Sequence, residues 1–162
     1  MIREQFKKII QVVFSQVRKH YGANLTSFVI FGSCGRGTPH QESDIDMLII
    51  LKKVTGGRIT RMKEFRDSID LGLEPIIREL QFYHIYTTLS PIIRSEKEVL
   101  QGSPLFIEMT TGIKVYKDRN SFFENYLNDL RQKMSYFGSE KKENGYWVYK
   151  KNVGKNESVD IL

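Results

Sequence analysis

Residues 31–49 read FGSCGRGTPHQESDIDMLI and join two short apolar runs, SFVIF at 27–31 and IDMLIIL at 45–51. Both runs are rich in β-branched or aromatic residues, which is typical of buried strands. The residues between them are rich in glycine, serine, proline and charge, so they predict a loop with at most a short helix. The polar residues that carry most of the chain's chemistry lie in this strand–loop–strand segment.

Asp44 and Asp46 open the second strand at positions i and i+2. Their side chains are therefore predicted to point to one face, while Ile45 points to the other face, into the core. Two carboxylates so close would raise each other's pKa, and a bound cation relieves the repulsion. Hard oxygen ligands suit Mg²⁺, which accepts one or two carboxylates and completes its shell with water and phosphate oxygens. We therefore predict that Asp44 and Asp46 are metal ligands and catalytic residues.

Gly32 and Ser33 follow the end of the first strand, where open α/β sheets place ligand crevices. Glycine lets the backbone approach a ligand, and a short helix beginning at Ser33 would offer free amides to an anion. The Ser33 hydroxyl and the Arg36 guanidinium add donors that suit phosphate oxygens. Phosphate donors beside metal-binding carboxylates are the equipment for phosphoryl or nucleotidyl transfer. The P-loop pattern GxxxxGK[ST] and the dinucleotide pattern GxGxxG are absent from the sequence.

The spacing of apolar residues predicts three amphipathic helices, over 2–21, 59–73 and 123–137. Pro75 is expected near the end of the second helix. Ser95-Glu96-Lys97-Glu98 matches a capping box and predicts that another helix begins there.

Two further strands are predicted, one over 81–89 (QFYHIYTTL) and a short one at 113–116 that ends at Lys117-Asp118. From Gly138 onward the sequence becomes polar and glycine-punctuated, apart from the aromatic Tyr146-Trp147-Val148-Tyr149. We therefore divide the chain into a domain of residues 1–138 and a hairpin or tail of residues 139–162.

Composition limits the class of protein. A chain of 162 residues with 40% hydrophobic residues is long enough for one domain with a real core. Its single cysteine, Cys34, excludes a disulfide scaffold and favours the reducing cytoplasm, and no apolar run is long enough for a membrane helix. The net charge of +6 is spread along the chain and fits several partners, so nucleic acid is not excluded.

Gly32-Ser33, ten intervening residues and Asp44-Ile45-Asp46 resemble the GSx10DxD signature of the DNA polymerase β-like nucleotidyltransferases. The chain is similar to the small stand-alone branch of minimal nucleotidyltransferases. The resemblance implies an α/β (α+β) fold with a small mixed sheet packed by helices. It also implies that ATP, or another nucleoside triphosphate, binds with up to two Mg²⁺ over residues that match the family pattern: Gly32, Ser33, Arg36, Gly37 and Ser43.

The resemblance further implies a third carboxylate on a later strand, here predicted at residues 79–89. Glu79, at the edge of that stretch, is its one acidic residue and hence the candidate third catalytic group. Either Glu79 serves, or the third ligand is missing and activity is reduced or lost.

Minimal nucleotidyltransferases often pair with a small helical HEPN protein in toxin–antitoxin systems and can adenylylate it. The resemblance therefore implies transfer of a nucleoside monophosphate, AMP from ATP in the first instance, to a hydroxyl on a HEPN partner. Two alternatives stay open: an antitoxin that acts by contact with little or no catalysis, and a transferase for RNA or a small molecule. Self-association into a homo-oligomer also stays open.

Overall fold

Four strands form a mixed sheet in the order β3-β2-β1-β4. Their bounds are Leu25–Ile30 (β1), Ile45–Leu51 (β2), Leu89–Ser95 (β3) and Lys114–Asp118 (β4). β1 runs antiparallel to β2 and β4, whereas β2 and β3 are parallel. The computed structural model describes residues 1–143 and 147–149. The predicted mixed sheet packed by helices is confirmed.

Seven α-helices lie in the described part of the chain, and one π-helical turn, Arg66–Asp70, joins two of them. Their bounds are Ile2–Tyr21 (α1), Gly32–Arg36 (α2), Arg58–Phe65 (α3), Leu71–Glu79 (α4), Glu96–Leu100 (α5), Pro104–Glu108 (α6) and Phe122–Tyr136 (α7). None of the helices in the described residues is long and apolar enough to span a membrane.

The core consists of two apolar clusters, one on each face of the sheet. The first joins Ile45, Met47 and Ile49 of β2 to α1 and to the helical stretch 58–79. The second joins Leu48 and Ile50 to α5, α6 and α7. Because successive strand residues point to opposite faces, Asp44 and Asp46 share the face of Leu48 and Ile50, and Ile45 points into the first cluster as predicted.

The prediction of a strand over residues 81–89 is wrong. Residues Leu80–Tyr83 form a 3-10 turn, His84 adopts a left-handed conformation, and β3 begins only at Leu89. The aromatic side chains that prompted the prediction face solvent: Phe82 is 86% exposed and Tyr86 is 55% exposed. β-Propensity stabilises a strand only where the side chains pack against neighbours, and these aromatic side chains have too few neighbours.

Pro75 lies inside α4, and the helix continues to Glu79 instead of ending near the proline. A proline removes one backbone hydrogen bond from a helix. Leu73 before it and Leu80 after it are both buried in the first cluster, and this burial holds the helix together across the proline.

The other predicted elements form with small differences at their ends. The capping box is present, with the Ser95 side chain accepting from the amide of Glu98 and the Glu98 carboxylate accepting from the amide of Ser95. After α7, residues Ser139–Lys141 (β5) pair antiparallel with Trp147–Tyr149 (β6). Tyr146 and residues 150–162 lie outside the described residues, so the division at residue 138 stays a prediction.

Candidate active site

The turn between β1 and α2 brings the backbone of Gly32 against the carboxylate of Asp46. Gly32 has a φ of 62°, and a Cβ on this residue would collide with Oδ2 of Asp46. Both properties require glycine. A left-handed backbone is unfavourable for other residues, and there is no room for a Cβ beside the Asp46 carboxylate. The amide of Phe31 also donates to the Asp46 carbonyl at 3.1 Å. The sequence halves Gly32-Ser33 and Asp44–Asp46 are therefore brought together as predicted.

The short helix α2 presents its first turn toward the same crevice. The first amide that bonds back along the helix is that of Gly35, to the carbonyl of Phe31 at 3.0 Å. The amides before it have no acceptor within the helix and are available to an anion. The helix ends at Gly37, whose φ of 76° is left-handed and whose amide donates to the carbonyls of Cys34 and Ser33. Gly37 therefore shapes the loop behind the crevice.

Asp44 is held in place by the segment that precedes β3. Its Oδ1 accepts from the hydroxyl of Thr88 at 2.8 Å and from the amide of Thr88 at 3.2 Å. The side chain is exposed. Both hydrogen bonds from Thr88 end on Oδ1, so neither of them uses the second oxygen, Oδ2. Asp44 is thus oriented by Thr88 and keeps an oxygen for a ligand.

Asp46 is half-buried, and its pKa lies above the ordinary value for an aspartate. Burial is the largest cause, and the nearby charge of Asp44 raises the pKa further. A hydrogen bond from Ser90 and the positive charge of Arg36 act in the opposite direction. A carboxylate that is costly to ionise in the free protein gains from a bound cation, which is the behaviour expected of a metal ligand.

Arg36 and Lys114 place positive charge at the same crevice. A Cβ on Gly112 would lie only 2.7 Å from the Cγ of Arg36, so the arginine stem lies along the backbone of Gly112. The ammonium of Lys114, at the start of β4, lies over Gly37, 3.9 Å from where a Cβ would stand. Both side chains are exposed and therefore free to reach a phosphate group.

Ser33 and Cys34 follow Gly32 at the start of α2. Cys34 is 2% exposed, and its pKa is raised to about 11, chiefly by burial. A hydrogen bond from Ser33 and the charge of Lys114 lower that pKa in part, whereas Asp46 raises it. A buried thiol of this pKa stays protonated at neutral pH, so Cys34 packs beside the site and does not act as a nucleophile. Ser33 is half-buried and lies between Gly32 and Cys34 in the first turn of α2.

Ser43 serves the fold of the loop more directly than it serves a ligand. Its side chain is 3% exposed, its hydroxyl oxygen accepts from the amide of His40 at 2.9 Å, and its own amide donates to the His40 carbonyl at 3.1 Å. These bonds close the turn that leads into Asp44. A role of Ser43 in holding nucleotide is therefore indirect, through the position of the aspartates.

Glu79 is not at the edge of a strand, which corrects the premise of its selection. It is the last residue of α4 and is exposed. The strand that pairs with the aspartates is β3, and the residue opposite Asp46 in this parallel pairing is Ser90. β3 reads LSPIIRS and contains no carboxylate. Among the described residues no group of three or more His, Cys, Asp or Glu could hold a metal ion together.

The two aspartates fit Mg²⁺ as a two-carboxylate site. Asp44 and Asp46 supply hard oxygens on one face, and the Gly32 backbone leaves room in front of Asp46 that a side chain would fill. Mg²⁺ is commonly bound by one or two carboxylates together with phosphate oxygens and water, so a third protein carboxylate is not required for binding.

Three residues of the site were not recognised in the sequence: Thr88, Ser90 and Lys114. Thr88 and Ser90 lie at the start of β3, which the sequence analysis placed several residues too early. Lys114 opens β4 and pairs with Ile30, one residue before the loop that holds the crevice. A basic residue at the start of a short strand has no distinctive local pattern, so only the pairing of β4 with β1 reveals it.

Comparison with known proteins agrees with this geometry. The family model described as nucleotidyltransferase domain matches residues 10–132. A curated relative from Methanocaldococcus jannaschii, named "Putative protein adenylyltransferase MJ1305", is 31% identical over 134 residues, which cover 81% of this chain and 84% of that protein.

Solved structures align more distantly. A chain from the crystal structure of a toxin–antitoxin with AMP-PNP aligns at 14% identity with a TM-score of 0.46, covering 78% of this chain and 90% of that one. A chain from tri-AMPylated Shewanella oneidensis HEPN toxin in complex with MNT antitoxin aligns at 14% identity with a TM-score of 0.42, covering 84% and 91%. TM-scores at this level carry no statement about function. The family match and the curated relative each span most of the chain, and the protein therefore belongs to the nucleotidyltransferase domain family and is a nucleotidyltransferase.

Proposed function

We propose that the protein transfers AMP from ATP, with Mg²⁺, to a hydroxyl group of a partner protein. The observation that carries the proposal is the closeness of Gly32 to Asp46, because the start of α2 then lies beside the carboxylates, where its amides could receive an anion. The relative from Methanocaldococcus jannaschii supports adenylyl transfer to a protein through its name. The HEPN class of partner rests on the sequence signature of the minimal nucleotidyltransferases.

In this proposal the chain's own residues bind and orient the triphosphate. The amides of the first turn of α2 and the hydroxyl of Ser33 donate to phosphate oxygens, and Arg36 and Lys114 balance the charge of the departing pyrophosphate. The acceptor oxygen forms a bond to the α-phosphorus while the bond from that phosphorus to the β-phosphate oxygen breaks, and the hydroxyl proton is released to solvent. The products are therefore an adenylylated acceptor, pyrophosphate and a proton. Bound Mg²⁺ would be held by Asp44 and Asp46 and would neutralise phosphate charge.

A second function, neutralisation of the partner by contact without transfer, is favoured by one observation. The strand that pairs with the aspartates is β3, which has Ser90 opposite Asp46 and no carboxylate, whereas the family resemblance implies a third carboxylate on a later strand. A two-carboxylate site still suits Mg²⁺ bound with a triphosphate. It lacks one group that would help to hold a second ion beside the acceptor hydroxyl.

The test combines transfer and toxicity. The purified chain is incubated with ATP labelled at the α-phosphate, Mg²⁺ and the helical protein encoded beside it, and label on that protein is measured. We expect labelling that Asp44→Asn combined with Asp46→Asn abolishes, while Glu42→Gln, an exposed acid in the same loop, leaves it unchanged. Wild-type protein that suppresses the partner's toxicity without labelling it would replace adenylyl transfer with the contact function.

A further inference from the structure

A wide groove opens at the end of the sheet opposite the candidate active site. The active site lies where β1 ends and β2 begins, whereas the groove lies where β2 and β4 end and β1 begins. β1 has six residues, which separates the two sites by roughly 20 Å. The groove has a volume of about 710 Å³. We call it the basic groove, and its lining residues are Lys52, Lys53, Glu96, Leu100, Arg119, Asn120, Phe122, Asn125, Tyr126 and Asp129.

The cations of the basic groove have no carboxylate partners. Lys52, Lys53 and Arg119 line it, and none of them forms an ion pair within 4.0 Å in the described part of the chain. Two more basic residues, Lys117 and Arg18, lie near Lys52 and Arg119 without lining the groove. The pKa of Lys117 is lowered, first by burial and then by the charges of Arg119, Arg18 and Lys52. Like charges gathered this closely repel one another, and an anionic ligand would relieve that repulsion.

Two acidic residues also line the groove and do not cancel this charge. The carboxylate of Glu96 accepts a hydrogen bond from the hydroxyl of Thr26, which directs one of its oxygens toward β1. Asp129 lies on α7, a helix turn beyond Asn125. Among its lining residues the basic groove therefore carries three cations against two carboxylates.

Hydrogen bonds to Asn24 fix the main chain that carries the two lysines. The amide of Lys53 donates to the side-chain oxygen of Asn24 at 3.0 Å, and the Asn24 side-chain nitrogen donates to the Lys53 carbonyl at 2.8 Å. The amide of Lys52 donates to the Asn24 carbonyl at 2.9 Å. The lysine pair therefore leaves the sheet in one fixed direction, which lowers the entropic cost of binding.

The loop that carries Arg119 is fixed in the same way. Asn120 and Ser121 both have left-handed backbone, with φ of 53° and 54°. Asp118 locks the loop from below, because its carboxylate accepts from the amides of Phe123 and Glu124 at 2.9 Å each and from the hydroxyl of Ser27. Strained backbone held by its surroundings is frequent at ligand sites.

The walls of the groove offer flat and amide-bearing side chains between the cations. Phe122 and Tyr126 line the groove and are half-buried, with the Tyr126 ring packed against Phe106 and Phe123, and Leu100 is 64% exposed. Asn120 and Asn125 add side-chain amides at the rim. Aromatic rings that receive bases, with cations that follow the phosphates, are the equipment of proteins that bind single strands. An acidic peptide would need the cations but would leave Phe122 without a role.

We propose that the basic groove binds a single-stranded nucleic acid, with Lys52, Lys53 and Arg119 on the phosphates and Phe122 against a base. This binding is separate from nucleotidyl transfer, since the groove contains none of the residues placed at the active site. A strand bound there would lie across the end of the sheet between α5 and α7.

Fluorescence anisotropy with a labelled twelve-nucleotide single-stranded RNA tests the proposal on the full chain. We expect binding at 50 mM salt that weakens roughly 15- to 20-fold at 200 mM salt, as three phosphate contacts require. Lys52→Glu combined with Arg119→Glu should weaken binding at least about tenfold. Lys7→Glu combined with Lys8→Glu, which makes the same charge change on the exposed side of α1, should weaken it less than about threefold.

Thermal melting shows whether each variant is folded, and Lys52→Gln with Arg119→Gln replaces the glutamate pair if that pair is not. Equal weakening in the groove and α1 variants, or no binding by the wild-type protein at 50 mM salt, would overturn the proposal. Competition decides the ligand class. Duplex RNA that competes as well as the single strand would overturn the stacking role, and polyglutamate that competes equally would reassign the groove to acidic polypeptides.

Discussion

At the scale of single residues, Gly32 is the position on which the candidate site depends most. Its left-handed φ and its closeness to the Asp46 carboxylate both exclude a side chain. The same two features cannot be separated by substitution, because any L-residue there meets both. The site therefore tolerates variation at Ser33 or Arg36 more readily than at Gly32.

We predict that Gly32→Ala reduces nucleotidyl transfer more than about a hundredfold while costing about 1–3 kcal/mol in the free energy of unfolding. The added methyl group must displace Asp46, which moves a catalytic carboxylate away from the α2 amides. Gly57→Ala is the control, because a Cβ at Gly57 meets nothing within 4 Å. Transfer that survives Gly32→Ala at the wild-type rate would show that this contact is not part of the active site.

Ser90 is the residue that pairs with Asp46 across the sheet, so a carboxylate introduced there would stand beside the two aspartates. We predict that Ser90→Asp lowers the melting temperature in EDTA, because a third carboxylate joins Asp44 and Asp46. Added Mg²⁺ should more than restore the melting temperature, and transfer should increase. Glu79→Gln should leave both quantities unchanged, since Glu79 is exposed at the end of α4. A Ser90→Asp protein whose melting temperature ignores Mg²⁺ would place the metal elsewhere.

At the scale of elements, one buried arginine joins four parts of the chain. Arg61 on α3 is 9% exposed and donates to the carbonyls of Gly56 and Ile93. It also forms a bidentate salt bridge with Glu98 at the start of α5. Nη1 and Nη2 of Arg61 each donate to one carboxylate oxygen of Glu98 at 2.8 Å. The same glutamate completes the capping box with Ser95, so one side chain fixes both the helix start and its packing on α3.

The sequence predicted the capping box from four residues in a row but contained no sign of the arginine. Arg61 lies on a helix face that periodicity identifies as polar, and such residues are expected in water. Its partner is thirty-seven positions away along the chain. Only the packing of α3 against β3 and α5 converts a surface-type residue into a buried one.

The pair makes stability depend on pH in a defined window. The Arg61 hydrogen bonds lower the pKa of Glu98 to about 2, from an ordinary value of 4.5. Because the pKa of Glu98 is lower in the folded state, the ionised carboxylate adds its full contribution to the free energy of unfolding above about pH 5. That contribution is lost as the pH falls toward 2. Glu98→Gln, which keeps the capping pattern, should cost about 2 kcal/mol at pH 7, with the difference vanishing near pH 2.

Urea denaturation of both proteins at pH 7, 4 and 2.5 measures this difference. Glu74→Gln is the matched control, since its pair with Arg78 is exposed and should contribute less than about 0.5 kcal/mol at any pH. A Glu98→Gln penalty that stays constant across the pH range would show that the charge of Glu98 does not carry the effect.

At the scale of the whole molecule, both apolar clusters of the core are made by residues that come before the last hairpin. The second apolar cluster closes with Leu130, Met134 and Phe137 at the end of α7. Beyond that, an ion pair joins β5 to the domain, between Lys141 and Glu108 at 2.7 Å, and both side chains are more than 40% exposed. An exposed pair of this kind contributes little to stability.

We therefore predict that the chain cut after Gly138 folds with a single cooperative transition. Its free energy of unfolding should fall by no more than about 1 kcal/mol. Circular dichroism during thermal melting measures this, and nucleotidyl transfer to the partner reports whether residues 139–162 serve function. Loss of the cooperative transition would show that the domain boundary lies later in the chain.

The sequence by itself determined the central strands, the long helices and both halves of the active site. Each of these features has a local sequence pattern: periodic apolar residues, a capping box, or glycine and aspartate at a fixed spacing. The tertiary structure alone decided where β3 begins, that Ser90 faces Asp46, and that Glu79 ends a helix on the surface. These features depend on which segment packs beside β2. By local sequence pattern alone, the aromatic run at residues 81–89 is a better strand candidate than the segment that forms β3. Burial settles the competition, because a strand forms where the sheet can cover its side chains, and that free energy belongs to the assembled core.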